Sequence, residues 1–82
     1  MTYLKRLSIY LRMDSLIQRK ATGGPDEFAR KLNILRATLF RYISEMKGNF
    51  HAPISFCHAR NSYHYEENFS LKSQDFLVSL IF

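Results

Sequence analysis

Between Tyr3 and Lys20 apolar side chains fall at Leu4, Leu7, Tyr10, Leu11 and Ile17, while Lys5, Arg6, Arg12 and Arg19 mostly occupy other faces. Spacing of three and four residues buries one stripe of a helix, so this stretch predicts a first helix. Arg19 and Lys20 would complement its negative end, and Thr22-Gly23-Gly24 would stop it. A second start follows at once in Gly24-Pro25-Asp26-Glu27, because Pro is tolerated at the first helical position and acidic groups favour the first turn. Phe28, Ala29 and Leu32 then form the inward side of a short second helix, where the methyl of Ala29 lets a crossing backbone approach. Asn33 enters a left-handed turn more readily than most residues, and Ile34 turns inward as the chain reverses. A third helix is expected from about Leu35 to Met46, burying Leu39, Tyr42, Ile43 and Met46 and leaving Arg36, Ala37, Phe40 and Arg41 facing elsewhere. Its length would be roughly 18 Å.

Lys47-Gly48-Asn49 reads as the end of that helix, and Pro53 confines the next element to an edge or first-strand position. Ile54 and Phe56 alternate with Ser55 and Cys57, and Tyr63 and Tyr65 alternate with His64, which predicts two short strands joined through His58 to Ser62. Glu66, Glu67 and Asn68 mark an acidic break. In the tail, Phe76, Leu77, Leu80 and Ile81 fit one helix face with Ser73 as a cap, yet LVSLIF serves equally as a strand. The expected fold class is therefore α+β: three helices, a two-stranded hairpin, and a C-terminal helix or strand. Residues 1–68 form the domain, and the apolar element 69–82 either covers its core or meets another chain.

Composition narrows the function. A chain of 82 residues makes one thin-cored domain, with 12 Phe and Tyr supplying bulk and little room for a deep catalytic cleft. The net charge of +5 is lopsided, since residues 1–50 hold ten Lys/Arg against four Asp/Glu and residues 51–82 hold two against three. A basic helical half suits nucleic acid, an anionic membrane or an acidic protein. The single Cys57 forms no internal disulfide, no apolar run is long enough to span a bilayer, and the N-terminus is too charged for a signal peptide. A soluble cytoplasmic protein is expected.

Two helices joined by a tight turn, with small Ala29 on the first, Ile34 in the turn and Leu39 and Tyr42 on the second, form the internal skeleton of a helix-turn-helix. With LIQRKATG before it and APISFCHARNSYHY after it, the stretch PDEFARKLNILRATLFRYISEMK resembles the winged helix-turn-helix domain of small bacterial transcriptional regulators. The resemblance spans about residues 7–68. It implies that the third helix enters the major groove of duplex DNA and that the hairpin is a wing touching the backbone or minor groove. By position, Arg36, Ala37, Phe40 and Arg41 would meet bases or phosphates, and Arg60 would lie near the wing tip. Two positions depart from the pattern. Asn33 stands where Gly is common, and Leu35 where Ser or Thr usually caps the helix and bonds a phosphate.

Each residue also has a plainer reading. Arg36 and Arg41 offer planar donor forks for guanine or phosphate, or simply line a solvated face. Arg30 and Lys31 are further phosphate candidates, and Thr38 contacts DNA or bonds its own helix carbonyl. Phe40 presses on a thymine methyl or packs beneath the wing, the second being favoured. Arg60 enters a minor groove or is solvated. His51, Cys57, His58 and His64 lack the spacing of metal ligands, and neither Cys57 nor the pair Glu66 and Glu67 has the partners catalysis needs. No cofactor, evident small-molecule ligand, membrane association or enzymatic activity is expected. Binding of duplex DNA for transcriptional regulation is the leading expectation, as a homodimer joined through the apolar tail. A protein-interaction module on the same fold, and the DNA-binding part of a longer regulator, are the alternatives.

Overall fold

The computed structural model describes residues 3–71. In chain order it contains α1 (Tyr3–Gln18), α2 (Pro25–Leu32), α3 (Arg36–Asn49), β1 (Ile54–Cys57) and β2 (Ser62–Tyr65), the strands pairing as one antiparallel hairpin. This is the expected α+β order of three helices and a hairpin. Residues 72–82, and with them the choice between helix and strand and the proposed dimer contact, lie outside the described residues. So does the side chain of Leu4.

The buried stripe of α1 is Leu7, Tyr10, Met13, Asp14 and Ile17, with Leu11 only half-buried. Two members, Met13 and Asp14, were not expected there. Asp14 is 3% exposed and accepts from the Tyr65 hydroxyl at 2.7 Å and the Leu71 amide at 3.3 Å, with the Gln18 side chain at 3.5 Å. A buried carboxylate needs such donors to replace water. Burial and the bond to Asp14 push the Tyr65 phenol well above its ordinary range. Burial, followed by the bond to Glu45, does the same to Tyr10.

The first helix stops two residues earlier than expected. Lys20 adopts a left-handed φ of 53°, and the amides of Lys20 and Ala21 bond back to the carbonyls of Ile17 and Leu16. Two reversed bonds of this kind satisfy carbonyls that the helix end leaves open. Arg19 lies beyond the helix, although its Nε still approaches the Ser15 carbonyl at 3.4 Å. Thr22 then crosses to the hairpin. Its amide donates to Ser62 Oγ at 3.1 Å, and its hydroxyl accepts from the Tyr63 amide at 2.8 Å.

At the end of α2 the same device recurs. Asn33 takes φ 58° and ψ 46°, its amide bonds the Arg30 carbonyl, and the Ile34 amide bonds the Ala29 carbonyl. That pattern turns the chain within three residues and brings Ile34 against the core, as the sequence implies. Ala29 is buried at this crossing.

The third helix runs one turn further than expected, through Gly48 to Asn49, and is therefore about 21 Å long. A helical glycine costs about 1 kcal/mol. Packing outweighs it: the Phe50 ring meets Tyr10 edge-on at 5.7 Å, and the Met46 carbonyl receives the amides of both Phe50 and Ala52.

In the hairpin, Ile54 pairs with Tyr65 and Phe56 with Tyr63, so one face is apolar; Tyr63 packs on Phe28 with ring centroids 5.6 Å apart. The strands are joined by residues 58–61, and Asn61 is left-handed. The Phe69 ring packs at a tilt against Tyr65, with centroids 4.8 Å apart, and Leu71 is fully buried. Phe69 and Leu71 thus pack on the core. Among the described residues no helix is long and apolar enough to cross a membrane.

Candidate nucleic-acid interface

The start of α3 is shaped by what its cap lacks. Leu35 is the N-cap, in extended conformation with φ −73° and ψ 151°, and provides no side-chain bond to the free amides of the first turn. Its carbonyl still accepts from the Leu39 amide at 2.9 Å, so the helix begins correctly but leaves donors to solvent. Leu35 itself is 75% exposed. Leu35→Ser is therefore expected to stabilise the protein by about 0.5–2 kcal/mol, raising the melting temperature seen by circular dichroism, because the hydroxyl caps the helix and little packing is lost.

Helical geometry sets the rest. Burial of Leu39, Tyr42, Ile43 and Met46 points Arg36, Ala37, Phe40 and Arg41 outward, and all four are exposed. Thr38 is half-buried beside them. Phe40 is not packed beneath the hairpin: it is 43% exposed, with the Arg36 guanidinium 5.3 Å from its ring centroid. The core-facing positions of α3 are already filled, and the ring finds its partner on the same helix.

Arg36 also forms an ion pair with Asp26 at 3.2 Å, and both side chains are more than half exposed. Such a pair contributes little and gives way to a stronger anion. Its positive charge reaches as far as Tyr63, where it opposes the upward pull of burial on the phenol. Arg41 lies 5.5 Å from the Tyr42 ring centroid, and Arg6 of α1 lies 5.8 Å from the same centroid. Arg6 and Arg41 thus approach one buried ring from two helices. Sequence spacing gives no signal for that, since the two arginines sit on different helices.

Arg30 is exposed at the end of α2, across an open concavity of about 510 Å³ that it lines with Asn33, Leu35 and Arg36. Lys31 is committed to local contacts instead: its Nζ donates to the Ala21 carbonyl at 2.6 Å and pairs with Glu27 at 3.3 Å. Arg60 is exposed in the hairpin loop. The next residue, Asn61, adjoins the start of α2, its side-chain oxygen standing 3.7 Å from where a Cβ on Gly24 would lie. Arg36 reaches the same helix start through Asp26. The loop carrying Arg60 and the first turn of α3 therefore flank one structural point.

No family model, curated protein or solved structure matches this chain. Its chemistry must be read from these residues. Among the described residues no group of three His, Cys, Asp or Glu could hold a metal ion, and Cys57 is a free, half-buried thiol. What the face of α3 offers is a set of guanidinium donors spaced around exposed apolar carbon.

Proposed function

We propose that this protein binds duplex DNA as a small winged helix-turn-helix regulator of transcription, with α3 in the major groove and the hairpin as a wing. The observation that carries this reading is the outward face of α3, where Arg36, Ala37, Phe40 and Arg41 are all exposed. A major groove about 12 Å wide accepts one helix, and a guanidinium fork suits both phosphate and the guanine edge. Arg30 and Arg6 extend the basic field, and Arg60 contributes a phosphate or minor-groove contact from the wing. Phosphate contacts supply most of the affinity, and the exposed start of α3 supplies sequence preference.

A module of this size reads few base pairs, so useful specificity calls for a dimer on two half-sites. A second reading is favoured by one observation, the exposure of both Leu35 and Phe40 on this surface. It makes the same face a contact for another protein. Titration of labelled duplex separates the two: the DNA reading requires binding that weakens steeply as salt rises, whereas a protein-docking face requires none.

A further inference from the structure

We infer that the exposed apolar side chains at the start of α3, Leu35 and Phe40, read C5-methyl groups of pyrimidines in the major groove. This rests on the duplex-binding reading above and deepens it. Leu35 and Phe40 are the exposed large hydrophobic residues among those described, at 75% and 43%. Arg36 links them, lining the concavity with Leu35 while its guanidinium lies over the Phe40 ring.

Exposed apolar carbon beside Arg30 and Arg36, with Arg41 exposed further along the helix, suits an occupant that is polyanionic at its border and apolar at one or two points. The floor of the major groove meets that description. Phosphates line its sides, and its characteristic apolar feature is the thymine methyl, presented beside base-edge acceptors. A 5-methylcytosine carries the same methyl group at the same ring position. Leu35 forgoes the side-chain cap that a hydroxyl would supply and presents a branched alkyl group to solvent instead. Phe40, five residues on and about 140° round the helix, offers a second apolar point, with the Arg36 guanidinium over its ring.

The test uses the full chain and two random duplex pools, one unmodified and one with 5-methylcytosine in place of cytosine. Preferred sites are selected from each, and their methyl groups are removed singly, by deoxyuridine for thymidine or cytosine for 5-methylcytosine. Deoxyuridine keeps every base-edge acceptor and donor, so only the methyl contact is lost. At one or two positions the Kd should rise about fourfold per methyl. The pool giving the tighter site identifies the source. In the double variant Leu35→Ala, Phe40→Ala this sensitivity should vanish while the salt dependence of binding remains. Changes below about 1.5-fold at every position, with binding intact, would overturn the inference and leave the DNA reading standing. If neither pool is bound, the inference and the DNA reading both fall.

Discussion

If α3 binds duplex DNA as proposed, replacing Arg36 and Arg41 together by Ala is expected to lower the affinity about 60-fold at 0.1 M salt relative to 1 M, where the electrostatic advantage is absent. Each neutralised phosphate contributes close to 0.9 to the salt slope, so each contact is worth roughly eightfold over that range. The slope should become shallower by about two. Stability should hardly change, because both side chains are exposed and the Arg36 pair with Asp26 is solvated. That combination distinguishes a binding role from a folding one. An unchanged slope in the double variant, with wild-type binding present, would remove these arginines from the interface. Fluorescence anisotropy across a salt series, with thermal denaturation alongside, reads both quantities.

Asp14→Ala should destabilise the fold by roughly 2–5 kcal/mol, a large share of the 5–15 kcal/mol expected for a small domain. The carboxylate receives the Tyr65 hydroxyl and the Leu71 amide, and truncation leaves both donors without their acceptor. The Gln18 side chain is near solvent and recovers more easily. Loss should be cooperative, because Gln18 also donates to the Phe69 carbonyl and Leu71 is fully buried. For a domain of 60–100 residues, each kcal/mol lowers the melting temperature by about 4–8 °C. Asp14→Asn keeps one acceptor oxygen and should cost less than Asp14→Ala. Urea unfolding measures the order, and equal stability of all three proteins would show that Asp14 carries none of this load.

Much of the helical framework was legible because local chemistry and burial agree. Pro25, Asp26 and Glu27 start a helix for reasons internal to those residues, and Asn33 closes it because its side chain tolerates a left-handed backbone. The outward direction of Arg36, Ala37, Phe40 and Arg41 follows from helical period once Leu39, Tyr42, Ile43 and Met46 are inside. Where local signals conflict with packing, the sequence reads less well. Gly48 resembles a stop, but Phe50 on Tyr10 holds another turn of α3. Lys20 ends α1 in a conformation that glycine usually supplies, before the glycines arrive.

Asp14 shows a different difficulty. It falls seven residues after Leu7 and three before Ile17, within the buried register, but its polarity suggests solvent. Its partners Tyr65 and Leu71 lie more than fifty residues away, so only the folded chain explains its burial. The candidate site has the same character. Helical spacing finds the exposed arginines, yet the approach of Arg6 to Tyr42, the pairing of Arg36 with Asp26 and the proximity of Asn61 to Gly24 depend on how the elements meet.

The most direct measurement is the affinity of the wild-type full chain for mixed-sequence duplex DNA across a range of salt concentrations. If Arg30, Arg36, Arg41 and Arg60 each neutralise a phosphate, log K falls against log salt with a slope of about −3.6. Negligible binding at low salt, or a slope shallower than about −1, would contradict a DNA-binding face on α3.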